Sequence, residues 1–303
     1  MSLYQKYRPQ TLDQVRGNEE VVLVLTNLLK KKKEFPHTVL FHGETGCGKT
    51  TLARIIAKEL GCKERDLAEI NSADFRGIDT VRDIIKNSQY LPIEGEKRAW
   101  IIDEVHKMTN DAQNALLKLL EDSLPHVYFL LCTTEPQKLL PTIRGRCSEF
   151  QVKPLSNMQM HRLLRSVVRS EKETLADEVY EQIVQDSLGH PRNALQILEQ
   201  VLSVPEEHRI QTAQKAAAQQ SQIIELCRAL INKSGWKEVR TIIEGLKDQE
   251  PENIRRIVLG YCQAILLKGE NDRAAMIIEA FWDPTYNVGF PYITYACYSI
   301  TKN

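Results

Sequence analysis

The sequence predicts an α/β fold in which a parallel-sheet domain carrying a P-loop is followed by two all-helical segments. Three features of the chain point there. Up to about Leu155, short β-branched or apolar runs alternate with longer amphipathic stretches, the pattern of parallel strands joined by covering helices. One of those junctions holds the glycine-rich run Gly43 to Thr50. After Leu155 a period of about 3.6 residues is the only pattern left.

Taken in order, the strand candidates are Thr38 to Phe41, Ala68 to Asn71, Ala99 to Asp103, Val127 to Thr133 and Glu149 to Val152. The helical candidates beyond them are Met158 to Ser170, Ala176 to Leu188 and Arg192 to Leu202. Val204-Pro205-Glu206-Glu207 breaks the series and links it to a second helical segment from Gln211 to Asn303. The domains expected are therefore 1–155, 156–204 and 205–303. In the last of them Pro251 suits a helix first turn, and Gly245, Gly269 and Pro284 read as stops. Trp236, Tyr261, Phe281, Trp282, Tyr292 and Tyr295 recur at helical spacing there, which predicts core packing rather than base stacking.

Composition narrows the class. A chain of 303 residues with 42% hydrophobic and 26% charged residues is long enough for two or three domains and is neither disordered nor fibrous in character. The longest apolar run, Val127 to Cys132, is far short of the ~20 residues a membrane span needs, and Met1 to Pro9 is too charged for a signal peptide. A cytoplasmic protein is expected, in the host cytoplasm if the source is viral and in the nucleus if it is eukaryotic. Seven scattered cysteines with no Cys-x-x-Cys pair predict reduced thiols. Forty basic residues balance forty acidic ones, so any nucleic-acid binding must come from a local patch. The run Lys30 to Lys33 reads as a solvated helix end, where cations are favoured.

The chemistry sits at strand ends. Gly43-Glu44-Thr45-Gly46-Cys47-Gly48-Lys49-Thr50 follows the first strand and opens the apolar-periodic segment Thr51 to Leu60, which is the setting a P-loop needs. Its glycines let backbone amides wrap phosphates and the helix N-terminus adds partial positive charge; Lys49 reaches the terminal phosphates and Thr50 offers a Mg²⁺ ligand. Cys47 reads as a small filler. Ala99 to Glu104 ends an apolar run in two carboxylates, a Walker B element. Asp103 would hold Mg²⁺ through water, and Glu104 would orient or deprotonate the attacking water. Cys132-Thr133-Thr134 puts hydroxyls where a sheet-borne group could meet the γ-phosphate. Arg144-Gly145-Arg146-Cys147 is a basic turn that cannot easily reach its own P-loop if the strands are adjacent and the turn leads away from the site, which makes a site in a neighbouring subunit the better destination.

Together these elements resemble the clamp-loader subunits of the AAA+ superfamily, close to the replication factor C small subunits and the bacterial gamma/tau subunit. The likeness runs through residues 2–200. Tyr4-Gln5-Lys6-Tyr7-Arg8-Pro9, with Val15 and Gly17, matches the family's adenine-side signature. Asn71 to Asp74 with Arg76-Gly77-Ile78, Ala112 to Lys118 and Thr133 to Leu139 match further family segments. The resemblance implies nucleotide contacts from Tyr7, Arg8, Pro9, Val15, Gly17 and the loop Gly43, Glu44, Thr45, Gly46, Cys47, Gly48, Lys49, Thr50 and Thr51. It also implies sensor 1 at Thr134, a trans-acting arginine finger at Arg146 and sensor 2 at Arg192, with ATP and Mg²⁺ as ligand and cofactor. The middle segment becomes a lid and the last a collar that holds a ring, expected to be pentameric. The implied work is ATP-dependent loading of a sliding clamp onto primer-template DNA. Gly145 stands where the family usually has serine, and the gamma/tau zinc insert and long C-terminal extension are absent. Those departures make a short replication-factor-C-like or phage-type subunit the nearer match.

Three other readings stand beside this one. A DExH helicase would share Gly43 to Thr50 and Asp103-Glu104-Val105-His106, but it needs a second run of strands after residue 155; His106 then reads as a second-layer or surface residue. A non-hydrolysing scaffold subunit predicts loss of Lys49, Thr50, Asp103 or Glu104, and all four are present. A branch-migration motor is the remaining AAA+ alternative. Arg76, Arg82 and Lys107 are the candidates for DNA phosphates. Tyr90, Leu91 and Pro92 are either a clamp-facing edge or a buried loop anchor.

Overall fold

A computed structural model describes residues 1–31, 34–121, 124–247, 249, 251–266, 269–285 and 288–302, with backbone alone for 214–221, 224 and 264. Lys32 and Lys33 of the lysine run lie outside the described residues. The chain divides into two compact units, Met1–Glu206 and Glu207–Asn303.

Unit 1 is built on five parallel strands: β1 (Thr38–His42), β2 (Leu67–Asn71), β3 (Arg98–Asp103), β4 (Val127–Thr133) and β5 (Ser148–Gln151). Their order across the sheet is β2-β3-β4-β1-β5. The sequence placed all five and missed ends by one residue, because Arg98, Leu67 and Ser148 pair through the backbone whatever their side chains are. Burial agrees with the order. β4 is buried at every residue and β1 at all but His42, as interior strands must be, whereas β2 and β5 at the rims are only partly covered.

Two apolar cores use the strand alternation. Val39, Phe41, Ile101, Leu130 and Cys132 face one side, with Leu25 and Leu29 of α2 (Glu19–Lys30) and Leu52, Ile55 and Ile56 of α3 (Lys49–Glu59). Leu40, Trp100, Ile102, Phe129 and Leu131 face the other, with Val81 and Ile84 of α4 (Ile78–Ser88) and Leu116 and Leu120 of α5 (Asn110–Glu121). Ahead of this sandwich lies the short helix α1 (Leu3–Lys6), and α6 (Pro141–Arg144) leads from β4 into β5. Three amphipathic helices complete unit 1: α7 (Asn157–Ser170), α8 (Asp177–Ser187) and α9 (Pro191–Leu202). A reciprocal capping box between Ser156 and Gln159 starts α7, so the change from sheet to helices is fixed locally.

The exposed stretch Tyr90, Leu91 and Ile93 is held from beneath rather than by its own side chains. Asp66, almost fully buried, accepts the N–H groups of Ile93, Glu94 and Gly95 at 2.5, 2.9 and 2.6 Å. Arg98 donates to the carbonyls of Asn87 and Leu91. Burial works against the Asp66 carboxylate, but those three N–H groups and Arg98 outweigh it and hold its pKa below the ordinary value. Tyr90 and Leu91 are 57% and 74% exposed, which removes the buried-anchor alternative for them.

Unit 2 contains α10 (Arg209–Ile231), α11 (Trp236–Gly245), α12 (Pro251–Leu266), α13 (Asp272–Ala280) and α14 (Phe290–Lys302) around one apolar core. Phe281 is fully buried and Trp236, Tyr261 and Tyr292 pack against that core, as their spacing predicts. Trp282 and Tyr295 do not: at 70% and 71% exposed, they correct the packing expectation. Trp282 falls just after α13 ends, so helical spacing no longer governs it, and Tyr295 is on the outward face of α14. No helix among the described residues is long and apolar enough to cross a membrane.

One ion pair organises unit 2. Buried Glu252 takes bidentate donation from Arg255 at 3.0 and 2.7 Å and accepts both the N–H and the hydroxyl of Thr285 at 3.0 and 2.9 Å. Arg255 also donates to the carbonyls of Phe281 and Trp282, so the pair ties the segment after α13 to α12. Burial alone would raise the Glu252 carboxyl; the bonds from Arg255 and Thr285 outweigh it and hold the pKa at about 2, down from 4.5. A depressed carboxyl stabilises the fold fully above its unfolded pKa, and that stabilisation is lost as pH falls from 4.5 towards about 2. Glu252→Gln should therefore cost about 3 kcal/mol at pH 7, with the difference from the parent shrinking below pH 4. Amide exchange of α12 and α13 across that range measures it.

Candidate functional site

The parallel register brings the motif residues to one edge. β1 and β4 end together, with His42 opposite Thr133, and Ile102 of β3 is opposite Leu131. The loops leaving these strands therefore gather at the carboxyl edge. After β1 the chain turns through Gly43, Gly46 and Gly48 at φ of +147°, +81° and +104°, conformations that side chains disfavour. Gly43 must be glycine for a second reason, since a Cβ there would strike the carbonyl oxygen of Val152.

Lys49 is the first residue of α3 and is 6% exposed. Its ammonium donates to the carbonyls of Gly43 and Glu44 at 3.0 and 2.9 Å, arching over the loop it follows. Thr50 Oγ1 donates to Asp103 Oδ2 at 2.8 Å. These are hard oxygen donors beside a helix N-terminus, a set that fits Mg²⁺ and phosphate.

Glu104 has a left-handed backbone at φ +50°, rare for a side-chain residue and a local strain. Its N–H is 3.0 Å from Asp103 Oδ1. Its Oε2 accepts Thr134 Oγ1 at 3.2 Å and lies 3.3 Å from His106 Nδ1. His106 is buried, with Nδ1 2.9 Å from Thr133 Oγ1 and Nε2 3.3 Å from Glu135 Oε1. Burial pulls its pKa below the ordinary histidine value, while the Glu104 and Glu135 carboxylates push the other way.

Beside the loop is a cavity of about 600 Å³ whose lining includes Tyr7, Arg8, Pro9, Val15, Gly46, Cys47, Gly48, Thr51 and Arg192. Gly17 does not line it. At φ +70° it makes a turn against Leu155, where a Cβ would clash, so its place in the signature is steric. The N-terminal segment is tied to the helices on the far side of the cavity: Glu171 accepts Tyr7 Oη at 2.5 Å and Lys6 Nζ at 2.7 Å. The Arg192 guanidinium is 5.9 Å from the centre of the Tyr4 ring. Cys47 Sγ is 3.4 Å from His190 Nδ1, whose Nε2 is 3.3 Å from Glu44. Burial pushes the Cys47 thiol up to about 11, so it stays protonated and packs as a filler.

Arg146 is elsewhere. It precedes β5, whose Ser148 pairs with Val39 near the start of β1, so it belongs to the amino edge of the sheet. A five-residue strand, roughly 16 Å long, separates that edge from the P-loop. Arg146 pairs with Glu121 and donates to Thr142 O at 2.9 Å, while Arg144 pairs bidentately with Glu149 at 3.0 and 2.9 Å. Gly145 at φ −63° is in ordinary helical geometry that serine also adopts. Of the DNA candidates, Arg76 is exposed with Nε on Ala73 O at 2.9 Å, and Arg82 makes a surface pair with Asp79. Lys107 is in the turn after Glu104, and Thr109 N–H donates to Arg76 O at 3.1 Å, joining the two loops.

Sequence reasoning gave no role to Glu121 or Glu171 and no separate one to Glu135 or His190 within their motif segments; of the two readings of His106, the structure supports the residue behind Glu104 and not the surface one. Only His106 left a signal, as a histidine two residues after the paired carboxylates.

Family models match on two stretches: DNA polymerase III, delta subunit, over residues 66–156, and the Sigma-54 interaction domain over 15–79. Among curated relatives, DNA polymerase III subunit tau of Escherichia coli is 32% identical over 266 residues, covering 80% of this chain and 41% of the relative. Subunit tau of Bacillus subtilis is 31% identical over 291 residues, covering 88% and 52%. Mycobacterium tuberculosis subunit gamma/tau is 34% identical over 226 residues, covering 67% and 39%. The chain belongs to the bacterial-type AAA+ clamp-loader family. It spans about two fifths to a half of the length of these relatives. A structure of the Thermotoga maritima RuvB Holliday junction branch migration motor matches with TM-score 0.61 at 20% identity over 74% of this chain and 79% of that one, a likeness of AAA+ fold.

Gly43→Ala should destabilise unit 1 by about 1 to 3 kcal/mol from backbone strain alone, with more from the Val152 contact. Gly77→Ala, at a negative φ with open space around it, should be near neutral. Thermal melts of the two variants make the comparison.

Proposed function

We propose that this chain is an ATP-hydrolysing subunit of a sliding-clamp loader, acting in a ring with other subunits on primer-template DNA. The observation that carries the reading is the split of its charged groups between the two edges of one sheet. Lys49, Thr50, Asp103, Glu104 and Thr134 are gathered at the carboxyl edge, and Arg146 is at the amino edge, beyond the reach of its own P-loop. That placement supports a role at a nucleotide held by another subunit rather than at its own. The similarity to DNA polymerase III gamma/tau subunits supports the same reading.

In this mechanism the glycine turn and the α3 N-terminus bind the phosphates, and Lys49 leaves its two loop carbonyls for the terminal phosphates. Thr50 directly and Asp103 through water would hold Mg²⁺, which would supply charge neutralisation to the phosphoryl group. Glu104, braced by Thr134, orients the attacking water and takes its proton. Tyr7, Arg8, Pro9 and Val15 form the adenine side, and Arg192 reports the nucleotide to the helices that carry it. Residues 156–204 act as the lid and 205–303 as the collar. Arg76, Arg82 and Lys107 meet DNA phosphates, and the braced loop at Tyr90 and Leu91 meets the clamp.

Glu104→Gln should keep nucleotide and Mg²⁺ binding while slowing hydrolysis by about 10²-fold or more, measured as single-turnover ATP cleavage. Arg146→Ala should leave binding at its own P-loop intact and suppress hydrolysis in the assembled ring by ~10³ to 10⁵. Mixed with Lys49→Ala subunits, it should regain activity at interfaces that pair an intact P-loop with an intact finger. A mixture as inactive as either parent, with co-assembly verified, would overturn the trans-acting role.

A further inference from the structure

His106 is 8% exposed, and both of its ring nitrogens face carboxylates. Nε2 is 3.3 Å from Glu135, and Nδ1 is 3.3 Å from Glu104 and 2.9 Å from Thr133 Oγ1. Thr133 Oγ1 in turn accepts the Glu135 N–H at 3.0 Å, so the ring is framed by the end of β4. Glu104 needs such a frame. It follows β3 in a left-handed turn, and an unrestrained glutamate side chain gives up as much as roughly 2 kcal/mol of rotamer freedom when it is fixed. Thr134 Oγ1 donates to Oε2 at 3.2 Å, and His106 Nδ1 lies 3.3 Å from the same oxygen. Packing alone would be served by any flat apolar ring; it gives no reason for a buried ring with a carboxylate at each nitrogen.

We propose that His106 is a positioning residue for hydrolysis, fixing through its Nδ1 edge the Glu104 carboxylate at the carboxyl ends of β3 and β4. This rests on the assignment of Glu104 as the group that handles the attacking water. Thr133, the last residue of β4, and Thr134 just after it then act as a pair: Thr134 touches Glu104 directly, and Thr133 touches it through the imidazole. The arrangement requires a hydrogen-bonding nitrogen at the Nδ1 position and places much less demand on the Nε2 position.

The test compares His106→Asn, whose amide falls near Nδ1, with His106→Gln, whose amide falls near Nε2, each alone and combined with Glu104→Gln in the full chain. His106→Gln should lower kcat by about 10- to 100-fold through misplacement of Glu104, with KM within about two-fold of the parent. His106→Asn should recover most of that loss. On the Glu104→Gln background, His106→Gln should change nothing further, because its effect runs through the carboxylate. Equal losses in the Asn and Gln variants, or an undiminished effect on the Glu104→Gln background, would reduce His106 to a structural residue and overturn the proposal. If Glu104→Gln alone leaves turnover unchanged, it is the assignment of Glu104 that fails.

Discussion

Thr50 can reach Asp103 only because β1 and β3 run parallel on either side of β4 and stop at nearly the same level. The 2.8 Å bond between them joins the first turn of α3 to the end of β3 across an intervening strand. That geometry depends on three strands buried on both faces, where every backbone group must pair and a slip of register would turn Val39, Phe41 and Ile101 into the wrong core. The edge is therefore as rigid as the sheet, and Glu104, Thr133 and Thr134 inherit that rigidity.

The other wall of the cavity is held differently. Tyr4, Lys6 and Tyr7 meet Glu171 and Arg192 through side chains near the surface rather than through a ladder. Exposed ion pairs of this kind contribute little, about 1 kcal/mol or less. One wall is a sheet edge and the other a set of weak polar ties. Such a pairing lets a ligand reorganise the second wall without disturbing the first.

The amino edge has its own logic. Arg144 and Arg146, two residues apart, are each paired, with Glu149 and Glu121. Both sit at or near the surface, so the pairing keeps two guanidinium groups ordered at small energetic cost. Glu121 ends α5 just ahead of β4, and Arg146 precedes β5, so the connections into two parallel strands bring the charges together at the edge away from the P-loop. Gly145 adds no special backbone geometry there.

The parts of this protein that local rules govern could be read from its sequence. The five strands, the glycine turn, the carboxylates at the end of β3 and the hydroxyls at the end of β4 were legible because alternation, burial runs and turn chemistry are written over a few adjacent residues. Long-range packing determined the rest. His106 became a buried neighbour of Glu104 because β4 delivers Thr133 and Glu135 from 27 and 29 positions along the chain, and no periodicity encodes that meeting. Trp282 and Tyr295 were left exposed although their types and spacing read as core, since a helix end and the placement of neighbouring helices set which face is covered. Glu171 and Glu121 look like ordinary surface acids in sequence. Their partners come from segments 165 and 25 residues away, because a contact's identity depends on how whole elements pack and not on the residues beside it.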